Sequence, residues 1–271
     1  MTYKVVEIYK DLPRTNCKDC SRAGCFQFAA AVHLGEVDFG QCPHLEEARR
    51  REMTARLEAE REKGDGTKPS SSEQALVALC QEMARADLST LAGKSGAEHI
   101  PGPPETLRLS LFGVPHFIYR NDVRAVDGRE SDILVKILLM LYATWANGAP
   151  VTGEWVAFKQ LPNAIGKAKS FEKHIARLAR HFEGRMDNLK AVAASLGGRA
   201  ISTESADAAF EFQALPALAL RLLYWEGDDD FPARASLLMD ATIPNYLDQE
   251  GTVFLAETLV NLLLQADEAE G

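Results

Sequence analysis

The amino-acid sequence predicts an α+β protein, in which a small N-terminal four-cysteine domain precedes a connector helix and a larger α+β domain with an antiparallel sheet. Three observations predict this fold class. Four of the five cysteines fall within 26 residues near the N-terminus. Segments with strand-like alternation come in adjacent pairs, as in hairpins. The segments with helical spacing stand apart from these pairs, whereas parallel sheets alternate single strands with helices.

The predicted organisation has three parts, which are residues 1–44, 45–72 and 73–271. The first part contains the clustered cysteines. The second begins with a highly charged helix whose few large apolar residues are Leu45, Met53 and Leu57, and it continues into a linker rich in glycine and serine over residues 64–72. Such a helix is typical of a solvated connector, and docking to a partner is the alternative.

Periodicity predicts the remaining elements in chain order. Leucines at alternate positions of residues 106–112 predict a half-buried strand that returns as a second strand at 116–119. Residues 210–212 and 218–225 form a second predicted pair. Residues 3–8 fit a strand or a helical turn, and residues 151–158 fit a strand or a loop. Helices are predicted over residues 26–34, 73–86, 132–145, 170–183, 186–196, 233–239 and 252–265.

Composition and charge exclude several classes of function. The net charge of -9 argues against a nucleic-acid partner, since phosphate binding needs clustered Lys and Arg. The most apolar stretch, residues 133–143, contains Lys136 and is shorter than the roughly 20 residues of a membrane span. No secretory signal is recognised at the N-terminus. We therefore expect a cytoplasmic protein with reduced thiols and without a membrane span.

The clustered cysteines predict a metal centre. They have the spacing C-x2-C-x4-C-x16-C, followed by Pro43, and are Cys17, Cys20, Cys25 and Cys42. Four thiolates are the usual ligands of an iron–sulfur cluster, and a Cys-Pro pair ends the bacterial ferredoxin motif. Structural zinc is the runner-up, although zinc sites usually have two C-x2-C pairs and this chain has one. The apolar residues near Cys80 in the sequence predict that its thiol is buried and inert.

The segment from Leu12 to Pro43 resembles the cluster domain of corrinoid iron–sulfur protein large subunits. The resemblance rests on the four cysteines, the Leu-Pro-x-Thr-Asn lead and the Phe-Ala start of the following helix. It implies one [4Fe–4S] cluster on Cys17, Cys20, Cys25 and Cys42 that passes electrons at low potential, with a corrinoid contact by analogy. Members of the family usually have glycine after the first two cysteines, where this chain has Lys18 and Ser21.

The remainder resembles an uncharacterised family that joins a domain of unknown function to such a motif, mainly in anaerobes. The resemblance rests on residues 153–158, on Phe171 and on residues 223–233. That last segment includes the acidic run Glu226 to Asp230, with Asp230 best placed to cap a helix and a cation or ligand site as the alternative.

We expect a cluster-binding protein for electron transfer, or one accessory to a redox or corrinoid partner. The alternatives are an iron–sulfur enzyme with a substrate or cofactor site in the C-terminal domain, and a structural zinc module for protein contacts. Enzymatic activity, the reduction potential, the redox partner and the oligomeric state stay open.

Overall fold

The computed structural model of the protein describes residues 3–62, 71–203 and 205–270. Helices and antiparallel strands both occur, so the predicted α+β class is confirmed. Contacts divide the chain into two compact units. The first unit comprises Met1–Ala86, Ile118–Val123 and Ser131–Met140, and the second comprises Asp87–Phe117, Arg124–Glu130 and Leu141–Gly271. The predicted division after residues 44 and 72 stays a prediction, and residues 63–70 of its linker lie outside the described residues.

Helices form most of the first unit. They are α1 (Val5–Asp11), α2 (Cys25–Leu34), α3 (Glu47–Glu62) and α4 (Ser71–Arg85), with a short 3-10 helix at Phe39–Gln41. Helix α1 answers the question left open for residues 3–8, and α2 begins one residue earlier than predicted. Helix α2 ends at Gly35, whose φ of 76° is left-handed, as is usual for a glycine after a helix.

The charged helix α3 packs against α1 through one face. Arg49 and Arg56 both donate to the carboxylate of Asp11, at 2.5 and 2.9 Å. The guanidinium of Arg56 also lies 4.1 Å from the centroid of the Tyr3 ring, and Met53 is fully buried. The expectation of a solvated helix is therefore wrong for this face, because Met53 and Leu57 are buried and two arginines have partners within the unit. The role of α3 as a connector stays a prediction.

A buried ion pair joins distant segments of the first unit. The Lys136 ammonium lies 2.7 Å from a carboxylate oxygen of Asp122. The Tyr9 hydroxyl donates to the other oxygen at 2.7 Å, and the Val123 N–H donates to Asp122 at 2.9 Å. Burying a carboxylate is unfavourable unless it is paired and hydrogen-bonded, and these three donors satisfy that requirement.

The rest of the fold contains two sheets. One has the order β1-β2-β3-β4 and the other the order β5-β9-β8-β7-β6, with antiparallel pairing throughout the second. The strands are β1 (Glu98–Ile100), β2 (Thr106–Leu111), β3 (Val114–Ile118), β4 (Val123–Ala125), β5 (Trp155–Ala157), β6 (Arg199–Ala200), β7 (Ala208–Leu215), β8 (Leu218–Trp225) and β9 (Arg234–Asp240). The helices are α5 (Leu88–Ser95), α6 (Ile133–Trp145), α7 (Ile165–Phe182), α8 (Met186–Ser195) and α9 (Gln249–Glu270).

The helix predicted over residues 233–239 is wrong. These residues form β9, which lies between β5 and β8 in the five-stranded sheet. Leu, Met and Ala are good helix formers, but β9 completes the backbone hydrogen bonds of both neighbouring strands. Helix α7 packs against β9 and α9, so the position of β9 also determines what α7 faces.

Candidate metal centre

The loop from α1 to α2 turns tightly around the first two cysteines. Four of its residues have a left-handed backbone, namely Arg14 (φ 56°), Asn16 (φ 52°), Lys18 (φ 70°) and Ser21 (φ 58°). Glycine adopts this conformation without steric cost, whereas other residues do so rarely. Lys18 and Ser21 directly follow Cys17 and Cys20. The two positions where related cluster domains usually have glycine are therefore positions that favour glycine on steric grounds.

Asn16 and Gly24 place Cys25 at the start of α2. The Asn16 side-chain oxygen accepts a hydrogen bond from the Cys25 N–H at 2.9 Å, which satisfies one of the free donors at the helix terminus. The Asn16 backbone N–H faces the Cys25 thiol and acts to lower its pKa. A Cβ at Gly24 would lie 1.8 Å from the amide nitrogen of Asn121. A side chain at residue 24 would therefore have to displace the Asn121 side chain.

The four clustered cysteines influence one another electrostatically. Burial is the largest cause of a raised pKa at Cys25, and the neighbouring thiols of Cys42, Cys17 and Cys20 raise it further. Burial likewise raises the pKa of Cys42, and Cys20 and Cys17 add to the effect. Such effects require short separations in a protein. The other three thiols thus lie near enough to Cys25 to act on it, and all four are free thiols. Ligation of one metal centre by all four stays a prediction.

Backbone N–H groups act on the sulfur atoms of Cys25 and Cys42. The N–H groups of His44 and Leu45 act to lower the pKa of Cys42, as the N–H of Asn16 does for Cys25. Hydrogen bonds to the ligating sulfurs are among the features that tune an iron–sulfur cluster. Four thiols, two of them with nearby backbone N–H donors, are thus a donor set whose chemistry fits such a cluster.

Asp19 and His44 lie beside Cys17 at the surface, an arrangement that sequence reasoning missed. The His44 ring nitrogen is 2.5 Å from an Asp19 carboxylate oxygen. One ligand atom from each of Cys17, Asp19 and His44 lies within 4.8 Å of the others. Hydrogen bonds from His44 and then from Cys17 lower the pKa of Asp19. The only sequence signal was an acidic residue inside the C-x2-C pair with a histidine soon after Cys42.

The fifth cysteine has a different environment. Cys80 lies in α4 with no exposed surface, and its sulfur is 3.9 Å from the sulfur of Met140. Burial raises its pKa to about 12, so it stays a protonated and unreactive thiol at neutral pH. This agrees with the inert role expected from its apolar neighbours.

Two family models match the chain. Residues 12–44 match a model described as "Putative Fe-S cluster". Residues 87–262, more than half of the chain, match a model described as "Domain of unknown function (DUF3786)". The chain belongs to the DUF3786 family. Both resemblances predicted from the sequence are therefore confirmed.

A curated relative extends the comparison of the cluster segment. The corrinoid/iron-sulfur protein large subunit of Moorella thermoacetica is 36% identical over 50 residues, which cover 18% of this chain and 11% of the relative. The chain therefore matches only a small part of that protein. No solved structure matches this DUF3786 protein. Together the two matches to the N-terminal segment support iron–sulfur binding.

The acidic run in the DUF3786 region organises a loop. One oxygen of Asp228 accepts the N–H groups of Asp230 and Phe231, at 2.9 and 2.8 Å. Glu226 accepts the N–H of Gly184 at 2.9 Å. The sequence favoured Asp230 as the cap of a helix, but no helix follows this run. Asp228 instead accepts the hydrogen bonds that close the turn. In the described part of the chain, no group of three metal-ligand side chains forms at this run.

The length and apolar character of the helices bear on whether any of them could span a membrane. Among residues 3–62, 71–203 and 205–270, none of them combines the necessary length with sufficient apolar character.

Proposed function

We propose that Cys17, Cys20, Cys25 and Cys42 bind one [4Fe–4S] cluster. The observation that supports the proposal is that the thiols of Cys17, Cys20 and Cys42 all act electrostatically on Cys25, and that all four cysteines are free. Such a cluster supplies one-electron transfer at low potential. We further propose that the protein works in electron transfer, or as an accessory to a redox partner, in the cytoplasm and in anaerobic metabolism.

The proposed ligands differ in their exposure to solvent, so one edge of the centre is more accessible than the other. Cys25 and Cys42 are buried, whereas Cys17 is exposed and Cys20 is intermediate. The Asn16 backbone and the backbone after Cys42 supply N–H donors on the buried side. A redox partner protein therefore has its closest approach at the Cys17 edge. By analogy with the name of the curated relative, a corrinoid protein is the proposed partner.

The metal content of the anaerobically purified full chain tests the proposal. We expect about four iron and four acid-labile sulfide per chain, and a broad visible absorption that bleaches with dithionite. Serine at any of the four cysteines should lower the iron and sulfide content. Cys80→Ser is the matched control, because Cys80 is buried elsewhere in the unit, and it should retain the full content. Stoichiometric zinc without sulfide would end the proposal.

A structural zinc module is the second candidate, because Asp19 and His44 lie beside Cys17. Zinc accepts nitrogen, oxygen and sulfur ligands, so these two side chains suit zinc as well as Cys17 does. The variants Asp19→Asn and His44→Gln separate the candidates. Zinc held by this trio would be lost in both variants, whereas a cluster held by four cysteines keeps its iron and sulfide.

An iron–sulfur enzyme that uses the acidic run has less support. Asp228 already accepts a backbone hydrogen bond within its own loop, and Glu226 accepts one from Gly184 after helix α7. Carboxylates engaged in this way are less available to a substrate. The electron-transfer or accessory role therefore agrees better with the described residues.

A further inference from the structure

The DUF3786 domain has a cavity of about 790 Å³ between helix α7 and strand β9. Small side chains line it from both elements and from β5, and the space exists because these positions lack the large residues that usually fill a helix–sheet interface. The lining alanines are Ala157, Ala168, Ala176, Ala179, Ala233 and Ala235.

Aromatic and aliphatic side chains form the inner wall of the cavity. The rings of Phe158 and Phe171 stack with centroids 4.4 Å apart and planes 9° from parallel. Ile175 and Leu237 continue the apolar surface. All four side chains are nearly buried. The interior is therefore suited to an apolar or aromatic body rather than to a charged one.

The rim of the cavity is basic. It carries four cations, Lys159, Lys173, Arg180 and Arg234, and one carboxylate, Glu172. Glu172 pairs with Lys159. Within the described residues, Lys173, Arg180 and Arg234 have no carboxylate at ion-pair distance. Three uncompensated positive charges thus surround this opening, in a chain whose net charge is -9.

The arginines have partners that leave their charge unneutralised. Arg180 donates to the Ala176 carbonyl on its own helix at 3.3 Å, and the Arg234 guanidinium lies 5.5 Å from the centroid of the Trp225 ring. A cationic ligand would be repelled at this rim. A neutral ligand would gain nothing from its charges.

We propose that the cavity binds a small amphipathic anion, with an apolar ring-containing body inside and a carboxylate or phosphate group at the rim. A cavity of this size is typical of sites for drug-sized ligands, and arginine and lysine are the residues that bind such anionic groups. This inference goes beyond the proposed cluster and is independent of it, because metal content tests one and binding of an organic anion tests the other.

Two probes with the same apolar body test the proposal. They are 8-anilinonaphthalene-1-sulfonate, which carries an anionic group, and N-phenyl-1-naphthylamine, which lacks it. Binding to the anaerobically purified full chain is measured by isothermal titration calorimetry. We expect the anion to bind about tenfold tighter or more, since each partly exposed charge pair contributes up to about fivefold and three such cations lie at the rim.

Variants locate the bound probe. Lys173→Gln with Arg180→Gln should weaken the anion about tenfold and change the neutral probe little. Lys169→Gln is the matched control, because Lys169 is an exposed cation on the same helix and does not line the cavity. Ala176→Leu narrows the cavity from an exposed position, so the fold should be retained, and it should weaken both probes.

Several results would overturn the proposal. One is equal affinity for the two probes, and another is no measurable binding of the anion up to about millimolar concentration. A third is an anion affinity in the double variant that equals that of Lys169→Gln. Undiminished binding to Ala176→Leu would place the probe outside the cavity and would equally reject the site. Far-UV circular dichroism of each variant verifies that the fold is intact.

Discussion

Replacing Lys136 with methionine should destabilise the protein strongly. The side chains of Lys136 and Asp122 are only 5% and 4% exposed, and their charged atoms are 2.7 Å apart. Methionine has a similar length and an apolar end, so Lys136→Met removes the cation with little change in volume. The Asp122 carboxylate then keeps the Tyr9 hydroxyl and the Val123 N–H as donors but loses its counter-charge.

The expected loss follows from this burial. Removing one partner of a buried ion pair costs about 3–5 kcal/mol, because the other charge stays buried without compensation. The hydrogen bonds from Tyr9 and Val123 come from neutral donors and are already present in the wild type, so they do not replace the ammonium. One kcal/mol shifts the melting temperature of a domain of this size class by about 2–4 °C. The variant should therefore melt about 6–20 °C below the wild type.

Thermal unfolding followed by circular dichroism under anaerobic conditions measures the effect. Lys169→Met, at an exposed position, is the control and should melt near the wild type. Adding Asp122→Asn to Lys136→Met removes the buried negative charge and should recover much of the loss. A shift below about 2 °C for Lys136→Met, or no recovery in the double variant, would refute the reasoning.

The same substitution should affect the metal centre. The Tyr9 ring, which is tied to Asp122 through its hydroxyl, packs edge-on against Phe26 with centroids 5.4 Å apart. Phe26 directly follows Cys25 at the start of α2. We therefore expect lower iron and sulfide content in Lys136→Met than in Lys169→Met after identical purification, and equal content would contradict this link.

Four further predictions concern single positions. Lys18→Gly should be more stable than Lys18→Ala by about 1 kcal/mol in thermal unfolding, because both lose the charge and only glycine accepts a φ of 70° freely; equal stability would argue against strain. Gly24→Ala should lower iron content sharply, since its Cβ would overlap a neighbouring amide; full content would show that the loop adapts. In cluster-free protein, iodoacetamide should modify exposed Cys17 well before buried Cys80. Mass spectrometry of digests measures the order of modification, and earlier modification of Cys80 would contradict this prediction. Burial raises the pKa of Asp240. Hydrogen bonds from neighbouring hydroxyl and backbone donors lower it by more than burial raises it, so the net pKa is below its ordinary value. Its folded-state stabilisation is present above the unfolded-state pKa and is lost as pH falls through the folded-state pKa. Asp240→Asn should therefore cost about 1–3 kcal/mol at pH 7 and progressively less below about pH 4, and a cost that is independent of pH would contradict this assignment.

Local patterns predicted most elements of the fold. Strand β8 has the predicted bounds, and α2 and α8 agree within one residue at each end. These segments carry clear periodicity or a glycine immediately after the helix, which are properties of neighbouring residues. The failures concern β9 and the packed face of α3, where pairing with β8 and contacts with Asp11 decide the outcome. Those partners are distant in sequence, so local propensity contains no information about them.

For the candidate metal centre too, the sequence predicted some residues and missed others. The spacing of the cysteines indicated the four candidate ligands, because three of them lie within nine residues of one another. It did not indicate Asn16, Gly24 or the Asp19–His44 pair. The role of Gly24 depends on Asn121, about a hundred residues later, and the role of Asn16 depends on a left-handed turn.

The sequence by itself determined the α+β class and membership of the DUF3786 family and indicated the candidate sulfur donors, because residue types and short-range spacing specify them. Tertiary structure alone decided which backbone groups face those sulfurs, how Asp122 and Lys136 are paired, and where a cavity with a basic rim opens beside α7. Each of these features requires side chains from separate segments to meet, and only the folded chain establishes such contacts.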